Sequence, residues 1–208
     1  MRECVSAKVR KCVDRRVDRD VAWFVTGCGG FVTRGWRRVD WTFKLWIAMN
    51  EIDRIADQLS RIFDGDPWYG SNTMHVLGGV TAPQAALRPI PEAHTAWEIV
   101  LHMTSWNREV LRRLGTGVAR EPQDGDWPQT PEPTEESWRS SVAALAQSYR
   151  ELIDAVRAFP PDRLDAPLGD ERDQALGSGV SFYVLLHGCV QHCVAHTAQI
   201  SLLAKNFR

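Results

Sequence analysis

The chain is predicted to be all-α, a four-helix bundle with a three-histidine metal site between its second and fourth helices. Three observations carry that prediction. Apolar residues recur at helical spacing in four stretches of the 208-residue chain, and no stretch alternates convincingly as a strand. The last stretch holds His192 and His196, four residues apart and therefore on one helix face. That face also carries Leu185, Cys189, Ile200 and Leu203, so both imidazoles point into the core with no lysine or arginine beside them. Buried imidazoles need partners for both ring nitrogens, and this spacing is how a helix offers two of them to one ion.

Residues 1–48 stand apart. Residues 1–44 carry 11 Lys/Arg against 5 Asp/Glu, while 45–208 carry 14 against 21. The segment is interrupted by Gly27, Gly29, Gly30 and Gly35 and keeps no period of 3.6 or 2. Its five acids argue against a transit peptide, and VAWFV is too short for a secretion signal. It is expected to be an N-terminal extension without a fold of its own, or the product of an early start codon, with the domain spanning 49–208. The rival readings are a basic arm for a membrane surface or nucleic acid, and a helix packed on the domain.

From Asn50 onward the pattern is regular. Asn50 is a candidate N-cap, Ile52, Ile55, Ala56, Leu59, Ile62 and Phe63 form one stripe, and Gly65 ends the first helix. A Pro/Gly-punctuated loop follows, with room for helical turns near Thr73–Val76 and Ala82–Ala86. Thr95-Ala96-Trp97-Glu98 reads as a capping box opening the second helix. Its stripe is Ile99, Met103, Trp106, Val110 and Leu114, with His102 at the edge, and Gly115 and Gly117 are read as its stop. Residues 115–134, rich in Pro, Gly, Asp and Glu, read as a long loop. The third helix starts near Thr134, and its seam steps by four and three through Trp138, Val142, Leu145, Tyr149, Leu152, Val156 and Phe159. Pro160 and Pro161 stop it, and a loop through Gly179 leads to the histidine helix.

Antiparallel pairing of the second and fourth helices brings His102 level with His192 and His196. Three neutral nitrogens with an open position suit catalytic zinc, and also nickel or ferrous iron. The cation makes whatever binds the open side more acidic. Other candidates carry less. Cys193 turns about 100° away from His192; Cys189 is inward, as a packing residue. His187 points away from the pair, and His94 and His75 are expected to face solvent. Gln199 lies one turn beyond His196 and either binds a water on the metal or satisfies a buried carbonyl. Trp106 and Tyr69 are candidate pocket walls. Glu98 is explained by its cap.

The pieces PWYG (Pro67–Gly70), HTAWEIVLHMTSW (His94–Trp106) and LLHGCVQHCVAHTAQISLL (Leu185–Leu203) resemble the DinB/YfiT-like metalloenzyme family. They occur in that family's order and cover most of 49–208, and HxxxH closely followed by Gln-Ile is the most specific of them. The resemblance implies a four-helix bundle, often dimeric, with metal ligands at His102, His192 and His196. The family's relatives include thiol-dependent S-transferases and maleylpyruvate isomerase. It therefore implies a transferase that uses a low-molecular-weight thiol and a small-molecule substrate. A metal-dependent hydrolase and a non-enzymatic metal- or ligand-binding stress protein are the alternatives. The acidic balance of 45–208 speaks against nucleic acid as a partner, and no apolar run is long enough to cross a membrane. Five scattered cysteines without a CxxC pair imply a reducing cytoplasm.

Overall fold

The computed structural model describes residues 49–172 and 180–207, all within one compact unit. Residues 1–48, and with them the expectations for the basic extension and for Cys4, Cys12 and Cys28, lie outside the described residues.

The chain is mostly helical. Among the described residues four helices are long: α1 (Glu51–Phe63), α4 (Ala96–Thr116), α5 (Glu135–Arg157) and α6 (Phe182–Ala204). Two short ones, α2 (Thr73–Leu77) and α3 (Ala82–Ala86), stand where turns were expected in the first loop. α4 packs chiefly on α5 and α6, and α1 packs on the same two helices. Val110 and Arg113 share a cavity wall with Val184 and Leu185, whereas Ile99 shares one with Gln199 and Leu203. α4 and α6 therefore run antiparallel.

Each start is fixed by a side chain that satisfies otherwise orphaned backbone N–H groups. The Asn50 side chain accepts from the backbone N–H of Asp53 at 2.9 Å, and the Asp53 carboxylate accepts from the N–H of Asn50 at 3.3 Å. Thr95 and Glu98 make the same reciprocal pair at 3.1 and 2.7 Å. Thr134 caps α5 and Ser181 caps α6. The stop of α4 is later than expected: Gly115 continues the helix, and only Gly117, at φ 73°, takes the left-handed conformation that ends it.

The stripes read from the sequence are the core. All six expected residues of α1 are buried, as are Trp138, Leu145, Tyr149, Leu152, Val156 and Phe159 around α5; Val142 is only partly covered. Trp97 is fully buried and donates its indole N–H to Ser141 Oγ at 3.0 Å, which ties α4 to α5. Trp138 similarly donates to the carbonyl of Val80 at 2.8 Å. The expectation of no strand needs a small correction. β1 (Val118–Ala119) and β2 (Gly169–Asp170) pair in parallel, with Val118 opposite Gly169. Two residues each are too short to show alternation, so the pairing, which pins the two long loops together, has no signature in the sequence.

Candidate metal centre

His102 is buried on α4; His192 and His196 are half-buried on α6. One ligand nitrogen from each lies within 4.8 Å of the other two, and among the described residues no cysteine or carboxylate joins the group. The nearest pair, Nε2 of His102 and Nε2 of His192, is 2.9 Å apart. Two nitrogens held at about 2.1 Å by one ion sit roughly 3.3–4 Å from each other, so small ring shifts bring the set to coordination distance.

The remaining nitrogens show which atoms face inward. His102 Nδ1–H donates to the carbonyl oxygen of Asp126 at 2.7 Å, with Asp126 Oδ1 also 3.2 Å away. His196 Nδ1–H donates to Gln199 Oε1 at 2.7 Å. Both hydrogen bonds fix the tautomer that leaves a lone pair on Nε2, the arrangement of metal-ligating histidines. Burial pushes the His102 imidazolium below its ordinary pKa. Burial, with His192 beside it, holds His196 down to about 4. Both rings are then neutral near pH 7 and available as ligands. The donor set fits a first-row divalent ion.

The loop between α4 and α5 does more than connect them. Gly125, at φ 82°, closes a turn by donating its N–H to the carbonyl of Pro122 at 2.9 Å. Ser105 Oγ donates to the Gly125 carbonyl at 2.7 Å, and Trp106 Nε1–H to Asp126 Oδ1 at 2.6 Å. These bonds place the Asp126 carbonyl against His102. Trp127 then stacks between two imidazoles, 3.4 Å from the His94 ring centre and 4.0 Å from that of His102. Asp126 and Trp127 were missed by the sequence reading. The available signal was a tryptophan inside the polar run QDGDWPQ, where a solvated spacer has no use for one.

The other candidates distribute as follows. Trp106 and Cys189 line a cavity of about 380 Å³ that opens beside His102 and His192. Tyr69 does not: it is 87% exposed at the tip of the first loop. Cys193 is fully buried behind the site, its thiol 4.0 Å from Asn107 Oδ1. His187 faces Glu51, with Nε2 3.0 Å from Oε1, and His75 is exposed. His94 is not simply solvent-facing, since it stacks on Trp127 and lies 3.4 Å from Glu98. Gln199 holds His196 rather than a buried carbonyl.

A family model of the DinB superfamily matches residues 70–200, well over half the chain and all three histidines. The chain belongs to the DinB superfamily. No curated protein and no solved structure matches it. Its membership accords with a helical domain that presents three histidines at one point, and no helix among the described residues is long and apolar enough to cross a membrane.

Proposed function

We propose that this DinB-superfamily chain is a metal-dependent enzyme with a four-helix-bundle domain, binding one divalent ion through Nε2 of His102, His192 and His196. The observation that carries the reading is the tautomer control. His102 and His196 have their Nδ1 committed to a fixed acceptor, which leaves each Nε2 lone pair turned toward the point where the three rings meet, and His192 Nε2 lies 2.9 Å from that of His102. A divalent ion supplies Lewis acidity at its open side, lowering the pKa of a thiol or water offered there. His102 and His192 line the 380 Å³ cavity, so the open side faces a chamber of small-molecule size. The chain's own part is to hold the rings, exclude bulk water with Trp106, Val110 and Leu185, and orient the substrate.

Zinc is the ion this donor set suits first, with nickel or ferrous iron as substitutes. The reaction we favour is transfer using a low-molecular-weight thiol, on the strength of the family resemblance. The same reading gives a homodimer in the cytoplasm, where the buried Cys189 and Cys193 stay reduced. The test is cobalt substitution. Cobalt should bind one per chain and, on addition of the right small thiol, give a sulfur-to-metal charge-transfer band. Replacing any one of the three histidines with Ala should abolish tight binding. A metal-free protein that ignores cobalt and zinc as completely as the triple-alanine variant sinks the metal reading. Bound cobalt without a thiol band, together with a rate on activated esters that rises with pH, points to the hydrolase.

A further inference from the structure

This inference rests on the metal-site reading above and concerns what enters the cavity. Its walls are mostly aliphatic and aromatic; the polar groups are His102, His192 and Asp126 at the histidine end, the Cys189 thiol, and Arg113. Arg113, three residues beyond Val110 on α4, contributes a guanidinium whose side chain is only 6% exposed. Nε–H donates to Glu109 Oε1 at 2.6 Å and Nη2 donates to the carbonyl of Arg120 at 2.9 Å. Among the described residues, Nη1 has no hydrogen-bond partner. Arg113 does not hold Glu109 alone, because the same carboxylate also takes Nε and Nη2 of Arg112, at 2.8 and 2.6 Å. Two guanidiniums thus share the Glu109 carboxylate, and Asp170, itself paired with Arg172, is also within electrostatic reach of Arg113.

A buried guanidinium with Nε and Nη2 fixed presents its remaining Nη1 group, preoriented and charged, as a donor to an anion. Trp106 connects it to the histidines. The guanidinium carbon lies 5.3 Å from the Trp106 ring centre, and that ring is 6.4 Å from the His192 ring. Trp106 therefore flanks both Arg113 and the histidines, and Val110, Val184 and Leu185 line the same cavity. We infer that the cavity binds a small apolar carboxylate, with its carboxylate on Arg113 Nη1, its body against Trp106 and Val184, and its reacting end toward the three histidines. Arg113 is then the residue that selects acids over neutral molecules of the same shape.

The test uses the full chain and two probes, 3-phenylpropanoate and its neutral amide, titrated by calorimetry into metal-free and zinc-loaded protein. The acid should bind at least tenfold more tightly than the amide in both forms. Arg113→Met combined with Glu109→Gln removes the buried pair together and leaves only Arg112, whose side chain is 30% exposed to water, without its carboxylate. In that variant the acid should fall to the level of the amide while the amide is unchanged. Arg113→Lys, which keeps the charge and loses the fork, should fall between. If the double variant fails to fold, the acid-to-amide ratio of the unmodified protein and the Lys variant still decide. Equal binding of acid and amide, no binding of the acid at millimolar concentration, or a preference that survives Arg113→Lys undiminished would overturn the inference. A preference seen only with zinc bound places the carboxylate on the ion. That overturns this inference and leaves the metal site standing, whereas failure of the metal site alone leaves the metal-free preference intact.

Discussion

Gln199 shows how one exposed side chain governs a half-buried ligand. Its Oε1 accepts from His196 Nδ1 and so decides which nitrogen of that ring faces inward. Gln199→Ala leaves the ring free to turn and to change tautomer. Such outer partners are worth about 10–100-fold in metal affinity; because Gln199 is exposed, a loss of about tenfold is expected here. Competition against a chromophoric chelator measures it, and the metal-free melting temperature should stay put, since nothing in the core has changed. Unaltered affinity would mean that His196 is held by packing alone. Trp127 behaves differently. Its two ring stacks are each worth about 0.5–1.5 kcal/mol beyond burial, so Trp127→Ala should lower stability as well as affinity, and denaturant titration separates the two.

At the scale of the element, α4 carries the largest electrostatic commitment. The Glu109 carboxyl is 1% exposed, and its burial alone would raise its pKa; hydrogen bonds from Arg112, Arg113 and the N–H of Arg120 outweigh that and hold it below the ordinary carboxylate value. A group whose pKa is lower folded than unfolded stabilises the protein above its unfolded pKa, about 4.3 for Glu. That contribution is lost as pH falls through the lower, folded value. Glu109→Gln should cost about 3 kcal/mol near pH 7, the usual penalty for stranding a buried partner, and should flatten the acid limb of the stability–pH curve. An identical acid limb in the variant would assign that limb to other carboxylates. None of this was legible beforehand, because three arginines beyond His102 have no direction until α4 meets its loop. The stripes of α1, α4 and α5 were legible, because burying one face of a long helix repeats over many residues and averages out local exceptions. The Asp126–Trp127 contribution was not, because a loop follows no period, and its geometry rests on single bonds such as Ser105 to Gly125.

For the whole molecule, the site's position couples metal binding to folding. His102 sits on α4, and His192 and His196 sit on α6, ninety or more residues away. The unfolded chain cannot offer the three nitrogens together, so an ion that binds them binds the native state almost alone. Stabilisation then follows mass action, about 2.7 kcal/mol at a free ion concentration one hundred times Kd. Zinc added to the stripped protein should therefore raise the melting temperature by several degrees, increasing with the logarithm of its concentration, and a chelator should reverse the shift. The same shift should appear in a chain that begins at Met49, because Asn50 closes its own capping box and every residue of the triad lies downstream. Calorimetric scans of both lengths, with and without zinc, give four melting temperatures. Equal zinc shifts in the two lengths place the metal-coupled unit within 49–208. A zinc shift or a helical signal that disappears on removing residues 1–48 would instead make that segment part of the folding unit.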